Sequence, residues 1–210
     1  MMRLPKYSKN PEYDPKYITQ LVDNFRSHPA ILYFPNVQFY DGKLRAKADL
    51  KEMSFALDWK LLPNKSFPLV LHSVVANCQQ EKNGFSFSNE EEVGIVKFYV
   101  EDLLENGIND KKVEIDDIGI VSPYKSQRDL LSRALKKYTG IEIGTAEYYQ
   151  GREKRIIIIS AVRSGYSVGF LKDERVSFEI FINLYKFYHF IILAFQCRPD
   201  QSKVLGNSRL

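Results

Sequence analysis

The chain has 210 residues, a net charge of +4, 44% hydrophobic residues and 27% charged residues. These values are typical of one sizeable globular α/β domain, and the mild positive charge permits a polyanionic partner without requiring one. Only two cysteines occur, Cys78 and Cys197, without metal-ligand spacing, so a disulfide scaffold or a zinc site is not expected. The first residues lack the apolar run of a secretory signal, which favours a cytoplasmic location.

The first third of the chain predicts one short structural unit followed by a loop. Residues 18–22 predict a short strand. Pro29 after His28 predicts a helix start, since proline suits the first helical turn. The turn residues 39–42 close this unit. Residues 45–67 show no clear periodicity and are predicted to form a loop-like connection.

The middle of the chain contains a clear helix. Residues 68–75 predict a buried strand, and residues 77–87 predict a polar loop. Ser88 followed by Glu91 has the spacing of a capping box, so a helix is expected to begin at Ser88. Apolar residues then recur at helical spacing until Gly107, which is expected to end the helix.

The next segment alternates strands with a helix. Residues 118–122 predict a strand, and residues 125–138 predict a helix that Gly140 terminates. The β-branched run 156–159 predicts a strand buried on both faces. The resulting order of strand, helix, strand, helix and strand predicts an α/β fold with a parallel sheet and helices on both faces.

Residues after about 175 have a different composition. Residues 178–195 are aromatic and apolar, with neither helical nor alternating order, and they are interrupted by Glu179, Lys186 and His189. The charges disfavour a membrane span, so no membrane partner is expected and a membrane anchor is only a weak alternative. The segment is interpreted as an unusual or poorly folded tail, and covering an open sheet edge is an alternative that no pattern in it supports.

A candidate phosphate-binding arginine stands early in the chain. Arg26 lies at a predicted strand end just before a helix, where a rigid guanidinium group matches phosphate oxygens. The alternative is a surface ion pair between Arg26 and Asp23. For His28, a packing role at the helix start is the preferred interpretation.

Two further polar clusters follow predicted strands. Ser122, Pro123 and Tyr124 precede a helix, and serine beside a helix N-terminus is a suitable site for a phosphate of a nucleic-acid backbone. Helix capping by Ser122, or a simple turn at Pro123, is the equally open alternative. In residues 145–153, Gln150 can both donate and accept hydrogen bonds and Gly151 permits close backbone approach to a ligand. The polar turn at residues 162–164 is interpreted as a strand end.

The chain resembles a known family in three ordered blocks. The blocks are Asn-Phe-Arg-Ser-His-Pro at 24–29 with Phe-Tyr-Asp-Gly-Lys-Leu at 39–44, Ile-Gly-Ile-Val-Ser-Pro-Tyr at 118–124, and Glu-Tyr-Tyr-Gln-Gly-Arg-Glu at 147–153 with its following strand. Together they resemble the second RecA-like domain of superfamily 1 helicases, in the Upf-like branch. Within that branch, the segments Arg-Ser-His-Pro at 26–29 and Val-Gly-Phe-Leu-Lys at 168–172 resemble the sequences of RNA-silencing helicases of the Armitage and Moloney-leukaemia-virus-ten type. The resemblance covers about residues 12–174.

The resemblance implies roles for individual residues. Arg26 corresponds to the arginine that reaches the γ-phosphate of ATP and stabilises charge during phosphoryl transfer, so it is the implied catalytic residue. The implied nucleotide-binding residues are Arg26, Gln150, Gly151 and Glu153. The implied RNA-binding residues are Ser122, Pro123, Tyr124, Thr145 and Glu147.

The chain lacks parts that a working helicase of this family needs. It has no P-loop pattern, no Asp-Glu pair after an apolar strand, and no Thr-Arg pair of the family's last motif. The resemblance therefore implies that ATP and Mg²⁺ are held mainly by a first domain absent from this chain, and that no metal is bound by this chain's own residues.

The predicted organisation is a lead-in segment at 1–17, a second RecA-like domain at 18–175 and the tail at 176–210. The implied function is the C-terminal motor domain of an ATP-dependent RNA helicase in RNA silencing or RNA turnover, with single-stranded RNA and RNA-silencing or decay proteins as partners. The alternative is a truncated, non-catalytic RNA-binding or interaction module.

Overall fold

The computed structural model describes residues 19–76, 78–81, 84–162 and 188–197. The predicted lead-in segment at 1–17 lies outside these residues, and the predicted domain boundaries stay predictions. The described strands are β1 (Asp23–Asn24), β2 (Arg45–Ala46), β3 (Leu69–Val75), β4 (Gln79–Gln80), β5 (Phe87–Ser88), β6 (Ile118–Val121), β7 (Glu142–Gly144), β8 (Lys154–Ser160) and β9 (Tyr188–Cys197). The described α-helices are α1 (Pro29–Phe39), α2 (Leu50–Met53), α3 (Glu90–Asn106) and α4 (Lys125–Ala134).

A five-stranded parallel sheet organises the described residues. Its strand order is β3-β9-β8-β6-β7, and every pairing in it is parallel. Strand β8 lies in the middle, with Ile156 opposite Ile118 of β6 and Phe190 of β9. The side chains of Ile156 and Ile157 point to opposite faces and are fully buried. The prediction of a parallel sheet around a doubly buried isoleucine strand is confirmed.

The tail contributes a strand to the interior of the sheet. Strand β9 lies between β3 and β8, where it pairs with both. The alternative that the tail covers an open edge is therefore wrong. Strands of parallel sheets are typically continuous apolar runs without alternation. Residues 190–195 form such a run in the sequence, which the absence of alternation concealed.

Helices α3 and α4 cover one face of the sheet. Val96, Val100 and Leu103 of α3 and Leu131 of α4 are fully buried. They belong to one hydrophobic core with the sheet residues Ile118, Ile120, Ile156 and Ile158. This packing confirms the helical periodicity predicted for both segments, because the residues at that spacing are those that face the sheet.

The stretch at 45–67 is more ordered than predicted. It contains β2, α2 and a 3₁₀ turn at Phe55–Asp58, and its Trp59 is completely buried in the core. The indole Nε1 of Trp59 donates a hydrogen bond to Asp102 at 2.9 Å, and Lys60 pairs with the same carboxylate at 3.0 Å. The elements were missed because each is too short to show a period.

The predicted start of the chain's first unit is also corrected. The first strand is β1 at Asp23–Asn24, which pairs with β2, whereas residues 19–22 form no strand. Leu21 is exposed, so the apolar character of 18–22 does not reflect a buried strand. Helix α1 begins at Pro29 as predicted, and its end at Phe39 agrees with the predicted turn, in which Asp41 and Gly42 have positive φ.

The N-cap of helix α3 lies one residue later than predicted. Asn89 is the N-cap, and its Oδ1 accepts a hydrogen bond from the backbone N–H of Glu92 at 3.0 Å. The capping box of Ser88 and Glu91 is therefore wrong, since Ser88 belongs to β5 and Asn is an equally strong cap. Gly107, with φ of 62°, ends the helix as predicted.

Several boundaries of the other elements differ from prediction. Helix α4 ends at Ala134, and the chain continues to Tyr138 through tighter turns. Strand β7 was not predicted because it has only three residues. In the predicted polar loop, β4 and β5 pair as antiparallel strands. Strand β3 lies at an edge of the described sheet, and Leu71 on it is exposed, so the prediction that this strand is buried is only partly right.

Among the helices that the structure describes, none combines the length and the apolar composition that a membrane span requires.

Candidate functional site

The backbone around Arg26 is fixed by a side-chain turn. Asn24 Oδ1 accepts hydrogen bonds from the backbone N–H groups of Arg26 at 3.0 Å and Ser27 at 2.8 Å. His28 then caps α1, because its Nδ1 accepts from the N–H of Ala30 at 3.2 Å. Burial lowers the pKa of His28, which favours the neutral ring that such a cap requires. His28 thus acts at the helix start as predicted, but as a hydrogen-bonding cap and not through packing.

The guanidinium group of Arg26 forms an ion pair with the carboxylate of Glu153. The alternative partner Asp23 instead pairs with Arg45 at 2.6 Å. The structure therefore joins two predicted nucleotide-binding residues that stand 127 positions apart, since 153 − 26 = 127. Both side chains are about half exposed.

A cavity of about 770 Å³ opens beside this ion pair. Its wall includes the charged pair and the aromatic ring of Phe25, which is 68% exposed. A guanidinium group can bind phosphate oxygens, and an exposed ring offers a flat apolar surface, so the cavity suits a charged ligand with a planar part. The lining residues are Gln20, Leu21, Asp23, Asn24, Phe25, Arg26, Tyr40, Leu44 and Glu153.

Gln150 and Gly151 lie in the turn that leads to Glu153. The N–H of Gln150 donates to the carbonyl of Glu147 at 3.1 Å, and Gly151 has a φ of +78°. That conformation is strained for a residue with a side chain, so glycine is required here by the backbone. Gln150 is exposed and precedes Glu153 by three positions. Ligand contacts by Gln150 and Gly151 stay predictions.

The buried ring of Tyr149 anchors the same turn to the sheet. Its hydroxyl group accepts a hydrogen bond from the N–H of Ile120 at 3.0 Å and donates to the carbonyl of Glu142 at 2.7 Å. At the start of the turn, Thr145 Oγ1 accepts from the N–H of Tyr148 at 3.3 Å. The loop thus runs over β6 and β7 on its way to the beginning of β8.

The predicted RNA-binding segment follows β6 and is mostly buried. The side chains of Ser122 and Tyr124 are buried, and the N–H of Ser122 donates to the carbonyl of Gly144 at 3.0 Å. Arg128 holds this segment, because its guanidinium donates to the carbonyls of Ser122 at 2.9 Å and Pro123 at 3.0 Å. Any RNA contact here would use the backbone or the half-exposed Pro123.

Ser122 does not cap helix α4, so that alternative is wrong, whereas the chain does bend at Pro123. The N-cap of α4 is Tyr124, and its side chain makes no capping bond. Ser86 instead accepts from the N–H of Ser126 at 2.9 Å, and the Ser126 hydroxyl donates to Glu81 at 3.3 Å. A carboxylate beside this helix start opposes an anion there, so the anion-site prediction gains no support from the geometry.

Arg26 and Glu153 lie at one edge of the sheet, and Ser122 lies at the other. Glu153 immediately precedes β8, and Ser122 immediately follows β6, a parallel neighbour of β8. With a rise of about 3.3 Å per residue, seven residues of β8 separate the two edges by about 20 Å. The pair of Arg26 and Glu153 therefore marks the amino edge, and Ser122 to Tyr124 with Thr145 mark the carboxyl edge. The two predicted sets meet in the loop between β7 and β8, where Gln150 is hydrogen-bonded to Glu147.

Sequence reasoning missed a buried polar network at the carboxyl edge. Its members are Asn89, Glu92, Gln127 and Ser160, all completely buried. Burial raises the pKa of Glu92 to about 7, although hydrogen bonds from Ser160 and from the Val162 backbone oppose the increase. In the sequence, Glu92 is hidden in an acidic first turn of a helix, where carboxylates are ordinary. Glu92 stands four positions before Val96, so both lie on the helix face that packs against the core, and this spacing is the sequence feature that indicates burial of Glu92.

The described residues contain no group of His, Cys, Asp and Glu side chains that could hold a metal ion. A free thiol is present at Cys78.

Comparison with known proteins agrees with the fold. A family model described as an AAA domain matches residues 4–177. The parallel sheet and this match define the class, which is a RecA-like α/β domain from the C-terminal region of Upf1-like helicases.

Three relatives illustrate the similarity. The chain is 37% identical over 186 residues to mov-10-B.2 of Danio rerio, covering 78% of this chain and 18% of the relative. It is 36% identical over 174 residues to RNA helicase Mov10l1 of Mus musculus, covering 78% and 14%. It is 33% identical over 167 residues to helicase SEN1 of Saccharomyces cerevisiae, covering 72% and 7%. The chain belongs to the superfamily 1 helicase family, as a Mov10-like RecA-like domain, and it spans less than a fifth of each of these three relatives.

Proposed function

We propose that this chain acts as the C-terminal motor domain of an ATP-dependent RNA helicase that works in RNA silencing or RNA turnover. In the proposed enzyme, ATP hydrolysis drives movement along single-stranded RNA. Family membership supports the helicase part of this proposal, and the names of relatives such as RNA helicase Mov10l1 support RNA as the substrate. A cytoplasmic location and partners among RNA-silencing or RNA-decay proteins are part of the same proposal.

The observation that carries the proposal is the ion pair of Arg26 and Glu153 at the mouth of the cavity. A half-exposed arginine with a fixed backbone can reach outward to a phosphate bound by a second domain. There it would stabilise the charge that develops during phosphoryl transfer. Glu153 would hold the guanidinium group in place until the phosphate competes for it.

On this proposal, ATP and Mg²⁺ are bound between this surface and a second, P-loop domain. Arg26 and Glu153 would approach the nucleotide from the amino edge, with Arg26 on the γ-phosphate, and Gln150 and Gly151 would contact it from the loop that leads to Glu153. The magnesium ion would neutralise phosphate charge, and its ligands would come from a P-loop domain, since the described residues offer no metal cluster. On this proposal the isolated chain does not hydrolyse ATP.

RNA would lie along the carboxyl edge. Ser122, Pro123, Tyr124, Thr145 and Glu147 are the proposed contacts, and the burial of Ser122 and Tyr124 restricts them to backbone contacts or to shaping the segment. Phosphate contacts of this kind give affinity without sequence preference, as a motor moving along RNA requires.

The test combines this chain with a separately produced P-loop domain of a Mov10-like helicase and measures RNA-stimulated ATP hydrolysis. We expect turnover only in the mixture, and we expect Arg26→Ala to abolish it. Arg45→Ala is the matched control, because Arg45 is also an exposed arginine in an ion pair but does not line the cavity. RNA binding by a mixture that never hydrolyses ATP would instead support a non-catalytic RNA-binding module.

A further inference from the structure

The carboxylate of Glu92 joins the first turn of α3 to the end of β8. Its Oε2 accepts a hydrogen bond from the hydroxyl of Ser160 at 2.6 Å and another from the N–H of Val162 at 3.0 Å. These contacts span 68 and 70 positions of the sequence. Glu92 therefore fixes where the chain goes as it leaves the central strand.

Gln127 extends the same connection to helix α4. Its Oε1 accepts from the N–H of Asn89 at 2.8 Å, and its Nε2 donates to the Asn89 carbonyl at 3.1 Å and to Ser160 Oγ at 2.9 Å. The Ser160 hydroxyl thus accepts from Gln127 and donates to Glu92. One serine joins the starts of two helices to the end of the central strand.

The network includes two features that are energetically unfavourable in a protein core. Glu92 is fully buried, and its Oε1 has no hydrogen-bond partner among the described residues. Val162 has a φ of 65°, a left-handed conformation that a β-branched side chain disfavours. Such outliers persist only where their surroundings impose them, and they occur preferentially at functional sites. A network needed only for packing would be replaceable by apolar side chains.

The position of the network points to its purpose. Gln127 lies on the first turn of α4, directly after the segment Ser122 to Tyr124, and Arg128 beside it holds the carbonyls of that segment. Strand β8 runs from the network back to Glu153, the partner of Arg26. The network therefore lies where the proposed RNA edge meets the strand that leads to the proposed nucleotide edge.

We propose that Glu92 is a positioning residue for RNA binding, which fixes the end of β8 to the start of α4 through Ser160 and Gln127 and so holds the 122–128 segment in its RNA-binding form. This inference rests on the proposed RNA contacts at the carboxyl edge. Glu92 itself is buried and touches no ligand. It acts through the hydroxyl of Ser160.

The test uses the full chain and compares Glu92→Leu, Glu92→Gln and Ser160→Ala. Leucine fills the space without accepting a hydrogen bond, glutamine keeps an acceptor oxygen, and alanine removes the connecting hydroxyl. Glu91→Leu is the matched control, because Glu91 is an exposed carboxylate in the same helical turn. Two quantities are measured, which are amide hydrogen exchange over residues 122–128 and binding of a labelled single-stranded oligouridine.

We expect Glu92→Leu and Ser160→Ala to speed exchange over 122–128 and to weaken oligouridine binding by about twofold to thirtyfold, the range of a coupling of 0.5–2 kcal/mol. Exchange in the core of α3, at Val100, should stay unchanged, and Glu92→Gln should retain both properties. If Glu92→Leu fails to fold, Ser160→Ala decides the outcome alone.

Unchanged exchange over 122–128 in the folded variants would overturn the inference, as would faster exchange with undiminished RNA binding. If even the unmodified chain binds no oligouridine, the proposed RNA function fails. The exchange data then separately decide whether Glu92 positions the segment.

Discussion

The hydroxyl group of Tyr149 accepts a hydrogen bond from the backbone N–H of Ile120 at 3.0 Å, in the interior of the protein. The same hydroxyl donates to the carbonyl of Glu142 at 2.7 Å. Ile120 lies on β6 and Glu142 on β7, so one side chain from the loop is bound to two neighbouring strands. The loop that carries Gln150 and Gly151 is therefore attached to the sheet by a specific polar contact.

We expect Tyr149→Phe to lower the free energy of unfolding by about 1–3 kcal/mol, because the buried N–H of Ile120 would lose its partner. The measurement is urea denaturation followed by circular dichroism. Tyr148→Phe is the control, since Tyr148 is 41% exposed and phenylalanine keeps the ring that faces Arg152. Equal stability of the two variants would mean that water or another group replaces the hydroxyl.

The sheet was predictable from sequence wherever a strand is marked by a β-branched run. Residues 156–159 form such a run, residues 118–121 form one interrupted by Gly119, and both lie in the central part of the sheet. Strand β7 and the elements between 45 and 67 were not predictable, because they are short and are fixed by tertiary contacts. The burial of Trp59 against Asp102 is an example, since the two residues stand 43 positions apart.

Gly151 is predicted to be required by its backbone conformation. With φ at +78° and no atom within 4 Å of an added Cβ, Gly151→Ala meets no steric clash but adopts a left-handed conformation. We expect a loss of about 1–2 kcal/mol in the free energy of unfolding. Gly94 in α3 also has open space around an added Cβ, but its φ is not positive. Gly94→Ala should therefore stabilise the chain by about 0.5–1 kcal/mol.

The midpoints of Gly151→Ala and Gly94→Ala can be measured in one chemical denaturation series and compared with that of the unmodified chain. A shift of both midpoints in the same direction would contradict the backbone argument, because the two sites differ in φ and not in available space. If Gly151→Ala is as stable as the unmodified chain, the turn at 145–151 relaxes to a different conformation.

Arg26 and Glu153 are predicted to matter for ligand binding and little for folding. Both side chains are about half exposed, and surface ion pairs of this kind contribute about 0–1 kcal/mol. We expect Arg26→Ala and Glu153→Ala each to change the free energy of unfolding by less than about 1 kcal/mol. Thermal denaturation at low and high salt measures this. A large loss of stability would mean that reduced ATPase activity in Arg26→Ala reflects unfolding.

The candidate site was predictable only in part. Arg26 and Glu153 were assigned to the same ligand from sequence, and the structure brings them into contact. Their separation from Ser122 could not be foreseen, because the loop after β7 runs from the carboxyl edge to the amino edge. Glu92 was missed for a related reason, since its burial depends on a strand end 68 positions away. A helix pattern cannot reveal which carboxylate faces such a strand.

The buried carboxylate of Glu92 makes a prediction about pH. Its pKa is raised from 4.5 to about 7 in the folded protein, mainly because burial disfavours the charged form. Between these two pH values the folded state binds more protons than the unfolded state, so this group lowers stability as the pH rises. Its favourable contribution is complete below about pH 4.5 and is lost by about pH 7.

Glu92→Gln should remove this dependence, because glutamine keeps an acceptor for Ser160 and Val162 and does not ionise. The variant and the unmodified chain should have similar stability near pH 4.5, and the variant should become more stable by up to about 3 kcal/mol at pH 8. Urea denaturation of both proteins across this range gives the difference, in which the titration of all other groups cancels. A difference that stays constant with pH would show that the pKa of Glu92 is not raised in the folded protein. The hydrogen bonds from Ser160 and Val162 would then fully offset the effect of burial.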